Sequence, residues 1–286
     1  MEKKILITGP TGIIGRELVG ELQRRGICFR IALREISKSD KLPSSSCPVV
    51  LLDYKNPKTF NSAFDGITDL FLATPISYQG LDELIVPVLE SAKKNGVQHV
   101  VSLGAVGVEQ NHKSPLSVAE KCVKGCGLHY TIFRPNFLMQ NFFSVIPLIR
   151  KNGGKMQLPA GDSKVSLVDA ADIATAAAEA LIESAYNDKT YVLTGGQSID
   201  FYQIAHIISK VTLKTVTYIP VNHSESYAEM VAAGCSSEQV RSLTALFEII
   251  RQGWCEEVRP DLRVILGREP GTFESFVLKN RDLWNL

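Results

Sequence analysis

The sequence predicts an α/β fold: a doubly wound parallel sheet joined to a small, mostly helical C-terminal lobe. Three observations carry that expectation. Short apolar runs alternate with helix-length amphipathic stretches through the first half of the chain, as in a parallel sheet covered on both faces. The first of these runs opens directly onto three evenly spaced glycines and a helix. The 286-residue chain is 45% hydrophobic and 21% charged, enough to bury a sizeable core.

The first element is the run Ile5, Leu6, Ile7, which suits a strand buried on both faces. Gly9, Gly12 and Gly15 follow, and then a stretch of helical period from Ile14 to Arg25. Strand, glycine turn and helix together form the Rossmann-type dinucleotide fingerprint. A turn without side chains lets the backbone approach a pyrophosphate, and the free N–H groups at the helix start face its charge. Gly9, Thr11, Gly12, Ile13, Ile14 and Gly15 are therefore candidate cofactor contacts. The alternative is a tight β–α turn that binds nothing.

In a sheet of this kind ligands sit at the carboxyl ends of the strands, so the residues just after each strand matter most. Gly26 stops the first helix and Ile27–Leu33 reads as the second strand, ending at Arg34 with Lys38 four residues on. A carboxylate here would suit the ribose 2′-hydroxyl of NAD. A guanidinium suits a 2′-phosphate, so NADPH is expected over NADH, with Glu35 as the competing feature. Val49–Leu52 is the third strand; Asp53 and Tyr54 after it are placed to meet the adenine, the carboxylate accepting from its amino group, with a helix-capping role for Asp53 as the alternative; a short helix near Pro57–Phe64 follows. Leu70–Ala73 is the fourth strand, bringing Ala73, Thr74 and Pro75 to the cofactor, with Tyr78 on a loop overhanging its nicotinamide end. A helix from Leu81 to Asn95 precedes the fifth strand, Val97–Leu103, whose end presents Leu103 and Gly104. A helix over Leu116–Lys124 leads to the sixth strand, His129–Phe133, followed by Arg134, Pro135 and Asn136.

Residues 1–150 are thus expected to form the dinucleotide-binding domain, with 165–195 returning to its sheet, and 151–164 plus 196–286 the small lobe. Phe137, Leu138, Met139, Phe142 and Phe143 have the spacing of a pocket wall. Phe137 and Phe142, with Tyr78, are candidate substrate contacts; packing into a core is the alternative for both phenylalanines. Val165–Val168 reads as a short strand, Asp169 as the cap of an alanine-rich helix running to about Ser184, and Tyr191–Thr194 as a strand rejoining the main sheet. Two helices separated near Gly234 are expected over 224–253.

Composition excludes several classes. With 31 basic and 30 acidic residues, the net charge of +1 offers no electrostatic case for nucleic acid or an anionic membrane. No apolar run approaches the roughly 18 residues of a membrane span, and glycines interrupt any signal-like core at the N-terminus. Six scattered cysteines form no Cys-x-x-Cys pair, and no His/Cys/carboxylate cluster has metal-ligand spacing, so reduced thiols in a cytoplasmic protein without metal are expected. A small molecule is the expected partner, and the chain is expected to act as a monomer or homodimer.

Beyond the glycines, six stretches in order resemble the NmrA-like group of atypical short-chain dehydrogenases/reductases, in particular its quinone oxidoreductases and triphenylmethane reductases. They are TGPTGIIG (8–15), LFLATP (70–75), GLHYTIFRPNFLMQNF (127–142), VSLVDAADIA (165–174), YVLTGGQSIDFYQIA (191–205) and GREPGTFESFV (267–277). The resemblance implies an NAD(P)-binding domain with a small substrate lobe, and a group that includes both reductases and cofactor-sensing regulators. The sequence departs from the wider superfamily at its proton relay. No Tyr-x-x-x-Lys lies in the 116–124 helix, only Ser117 precedes Lys121 at that spacing, and Gly104 and Ala105 stand where relatives carry a serine. Two readings follow: a reductase of electron-poor acceptors (quinones, enones, dye-like compounds) that needs little acid catalysis, or an NADP-sensing regulator. A non-redox isomerase or cyclase on the same fold is a third. Tyr78, His112 and Asn136 are the candidate proton donors.

Overall fold

A computed structural model describes residues 3–37, 42, 47–74, 80–232 and 236–284. They fall into two compact units, Met1–Pro135 with Ala170–Leu193, and Asn136–Asp169 with Thr194–Leu286.

The first unit holds a seven-stranded, all-parallel sheet. Its strands are β1 (Ile5–Ile7), β2 (Phe29–Leu33), β3 (Val49–Leu51), β4 (Asp69–Leu72), β5 (His99–Leu103), β6 (His129–Pro135) and β9 (Lys189–Leu193), in the order β3-β2-β1-β4-β5-β6-β9. Every residue of β1 and β4 is buried, because helices cover both faces and leave the central strands no solvent side. The helices of this unit are α1 (Ile13–Arg24), α2 (Phe60–Phe64), α3 (Leu81–Lys94), α4 (Pro115–Gly125) and α6 (Ala170–Ile182). All the alanines of α6 but Ala171 are fully buried, and the helix packs against α1 and the sheet; side chains this small let the backbones approach closely. Arg25 ties the two helices, bonding Glu179 at 2.7 Å and Glu21 at 2.6 Å. The chain leaves β1 toward β2 and β3 on one side and, through β4, runs outward on the other. That reversal between β1 and β4 opens a crevice at the carboxyl edge of the sheet, where such folds bind ligands.

The second unit carries two small sheets and six helices among the described residues. β7 (Lys155–Leu158) runs parallel to β11 (Thr217–Pro220), and β8 (Lys164–Val165) pairs antiparallel with β10 (Ile199–Asp200). The helices are α5 (Ile146–Lys151), α7 (Phe201–Thr212), α8 (His223–Ala232), α9 (Ser237–Arg251), α10 (Asp261–Leu266) and α11 (Phe273–Lys279). A capping box starts α7: the Asp200 carboxylate accepts from Gln203 N at 2.7 Å while Gln203 Oε1 accepts from Asp200 N at 3.0 Å. Phe137, Phe142, Phe201, Phe247 and Phe273 form a continuous aromatic core, with ring centroids 5.1–6.4 Å apart along their contacts.

Two expectations change in detail. The break between units falls at Pro135, ahead of residue 150, because Asn136–Phe142 packs into the aromatic core of the second unit. The strand expected over 165–168 stops at Val165; Val168 makes a single bridge to Leu138.

Candidate functional site

The carboxyl edge of the first unit is built from the glycine turn outward. Thr8, buried at the end of β1, donates to Phe71 O at 3.0 Å and accepts from Ala73 N at 2.7 Å, clamping the ends of β1 and β4 together. Tyr54 donates to Ala73 O at 3.2 Å, and burial pushes its phenol up to about 12, so it stays a donor. Gly9 then turns with φ +62, and a Cβ there would sit 2.5 Å from Ala73 Cβ. Gly12 N closes the turn on Gly9 O at 3.1 Å, and a Cβ on Gly15 would run into that same carbonyl. Two glycines are thus required by contact: the turn lies pressed between β4 and the first turn of α1.

No side chain caps α1, whose N-cap is Gly12, and its first turn carries no acid. The N–H groups at this end lack the carboxylate or hydroxyl that elsewhere satisfies them. Gly9, Thr11, Gly12 and Ile13 are open to solvent, with the apolar Ile13 48% exposed. Thr74 Oγ1, just past β4, is buried with no partner among the described residues. Uncapped amides, a side-chain-free cradle and an orphaned hydroxyl on one edge fit a dinucleotide diphosphate.

Other expected contacts divide. Arg34 follows β2 and is 69% exposed, held only loosely by Glu35 Oε1 at 3.4 Å. The Asp53 carboxylate accepts from Lys55 N at 3.1 Å, so it serves a local turn, and the cap of the helical turn that follows is instead Asn56, whose side chain accepts from Lys58 N at 3.3 Å. Leu103 is half-buried at the end of β5, and Pro135 is buried with its carbonyl accepting from Val106 N at 3.1 Å. His112 is exposed, its carbonyl 3.4 Å from Lys121 Nζ. Lys38, Pro75 and Tyr78 lie outside the described residues.

Asn136, expected as a proton donor and cofactor contact, has its side chain engaged within the second unit. It is buried in the second unit, where its amide donates to Ser166 Oγ at 2.6 Å and Cys255 O at 2.9 Å while its carbonyl accepts from Phe137 N at 2.8 Å. All its bonding capacity toward that loop is internal, and it acts as a structural pin. Phe137 and Phe142, expected as substrate contacts with core packing as the alternative, have both rings buried in the aromatic core. One open cavity of this unit, about 160 Å³, is lined by Met139, Leu167, Ile199 and Phe273 among others.

One feature of the edge escaped the sequence reading. Arg134, at the end of β6, forks onto the buried Glu120 carboxylate of α4, Nε to Oε1 at 3.0 Å and Nη2 to Oε2 at 2.8 Å, and its Nη1 reaches Glu109 at 3.1 Å. Those bonds from Glu120 hold the guanidinium above its ordinary range against the opposing pull of burial. A Cβ on Gly104 would collide with Glu120 Oε1, so the carboxylate fills the space where a relay serine would project. The signals were an arginine directly after the buried pair Ile132 and Phe133 and a glutamate beside Ala119 and Val123 on the buried face of α4. Among the described residues, no group of three or more His, Cys, Asp or Glu side chains is arranged to hold a metal ion, and no helix is long and apolar enough to cross a membrane.

Comparison with known proteins gives this edge a context. The sequence pattern of the NmrA-like family matches residues 1–260. The NAD(P)H azoreductase of Xenophilus azovorans is 26% identical over 278 residues, covering 95% of this chain and 96% of that protein. Quinone oxidoreductase 2 of Escherichia coli K12 is 26% identical over 80% of this chain and 82% of its own length. The structure of Citrobacter sp. triphenylmethane reductase complexed with NADP(H) superposes with a TM-score of 0.86 at 25% identity, covering 97% of this chain and 99% of that one.

Proposed function

Since the chain belongs to the NmrA-like family, we propose that it is an NADPH-dependent reductase delivering hydride to an electron-poor organic acceptor of the quinone, enone or dye type. The relatives named for NAD(P)H-dependent azo and quinone reduction support a reductase in general. The observation that carries the reading is the glycine cradle beneath the uncapped start of α1, at the point where the strand order reverses.

The diphosphate would lie on the amides of residues 12–15, and Arg34 would take the 2′-phosphate, exchanging its loose contact with Glu35 for a bidentate one. Thr74 Oγ1 would gain a partner beside the small side chain of Ala73. NADPH, when bound, supplies the hydride; the chain's residues bind and orient it. With Glu120 and Arg134 locked to each other where a relay would stand, the described residues of this edge offer no strong acid. That suits acceptors whose reduced form is a stabilised anion or a neutral species, which water can protonate. The setting consistent with the free cysteines is the cytoplasm, with the chain acting as a monomer or homodimer.

The test is NADPH consumption by the purified protein against a panel of quinones, enones and cationic dyes. Turnover with any acceptor well above the acceptor-free rate is expected. The locked Glu120–Arg134 pair also favours a second reading, an NADP-sensing regulator. Tight NADPH binding with no consumption across the panel would select it.

A further inference from the structure

Cys122 and Cys126 stand one helical turn apart at the C-terminal end of α4, the second being the helix cap. Both are half-buried free thiols, and both line an open cavity of about 310 Å³ whose remaining walls are Val86, Leu89, Glu90 and Gly125. Cys126 Sγ donates to Val123 O at 3.0 Å, which fixes its rotamer along the helix rather than out into solvent. Lys93 Nζ donates to Cys126 O at 3.2 Å and so anchors the end of α4 to α3. Burial, with the Asp82 carboxylate behind it, pushes the Cys122 thiol up, so the thiol form is the one the cavity presents near neutral pH.

This geometry selects among the things a thiol pair can do. Residues four apart on a helix have Cβ atoms roughly 5–6 Å apart. A disulfide needs about 3.5–4.5 Å, so direct oxidation would have to unwind the end of α4. Zinc needs about four ligands, and among the described residues no third metal-binding side chain joins the pair. What remains is a soft, thiophilic centre that bridges two sulfurs, completes its own coordination with an organic group, and has an apolar wall on which to lay that group. We propose that Cys122 and Cys126 form a two-thiol binding site for trivalent monoorganyl arsenicals, with the organic substituent lodged against Val86 and Leu89. The reaction is a condensation without net redox change. The As=O oxygen leaves as water with the two thiol protons, and two As–S bonds form. The site lies outside the dinucleotide cradle and does not depend on the reductase reading.

Phenylarsine oxide is the probe, followed by intact-mass measurement and titration of the full chain. The expected result is one adduct per chain that survives excess monothiol and is released by a small dithiol. Cys122→Ser and Cys126→Ser should each weaken binding by about a hundred-fold or more, the size of an effective-concentration advantage lost when one arm is removed. A variant with Cys28→Ser and Cys47→Ser together should keep it. Peptide mapping of the wild-type adduct gives a readout that does not depend on either variant folding, and it should find arsenic joining the segments containing 122 and 126. Mapping to other cysteines, or unchanged affinity in both single variants, would overturn the assignment.

Discussion

Gly104→Ala tests whether the carboxyl edge is organised around the Glu120–Arg134 pair. The added methyl would meet Glu120 Oε1 in hard overlap and Arg134 Cγ at 3.4 Å. Neither obstacle yields freely. Glu120 is held by both Arg134 bonds, and the loop is fixed by Gly104 N donating to Phe133 O at 2.7 Å. Overpacking of this kind costs about 1–3 kcal/mol. For a unit of this size that corresponds to roughly 3–9 °C in melting temperature. Glu120→Ala alone breaks a pair whose members are 7% and 18% exposed. A fully buried pair would lose about 3–5 kcal/mol. Arg134 keeps Glu109 and some solvent, so about 2–3 kcal/mol is the reasonable figure here. In the double variant the methyl occupies space the carboxylate has left. Its loss should therefore match that of Glu120→Ala alone, a favourable coupling of about 1–3 kcal/mol. Thermal melts and urea midpoints of the four proteins make the cycle. Losses that add to within about 0.5 kcal/mol would refute the steric account.

Arg34→Asp should weaken NADPH binding by about ten-fold or more while leaving NADH nearly unchanged, measured by calorimetry, since a bidentate charge-assisted contact contributes roughly 1.5–3 kcal/mol. Equal losses for both nucleotides would remove the 2′-phosphate contact. Leu213 caps α7 at φ +60 with its side chain 78% exposed, so Leu213→Gly should stabilise the second unit by about 1 kcal/mol, read as a higher melting temperature. Burial works to raise the Asp69 carboxyl, but bonds from His99, Lys3 and Thr68 outweigh it and hold the group below its ordinary value. A carboxylate depressed in the folded state contributes stability above its unfolded pKa of about 3.9 and loses it as pH falls toward the folded value. Asp69→Asn should therefore flatten the acid limb of a stability–pH curve below about pH 4, and an unchanged slope there would count against the network.

What the sequence revealed and what it hid follow from the range over which each signal acts. The strands, the helices flanking them and the glycine turn are written in local periodicity. The expected return of Tyr191–Thr194 to the main sheet corresponds to β9, which runs parallel to β6 at the edge of the sheet and buries Leu193. Polar environments were not legible where a side chain's partner came from far along the chain. Asn136 looked like a turn residue presented to a ligand, yet its partners Ser166 and Cys255 are 30 and 119 positions away. The phenylalanines after it follow a helical spacing that fits a pocket wall or a core equally well, and only rings from α7, α9 and α11 decide between them. The missing relay is the most informative case. Read along the chain, Gly104 is an absence; in the fold it is a consequence, since Glu120 already occupies the volume a serine side chain would need. Restoring the hydroxyl by Gly104→Ser therefore cannot restore a relay unless Glu120 is truncated as well. The chemistry at this edge is constrained by a packed ion pair as much as by the side chain that is lacking.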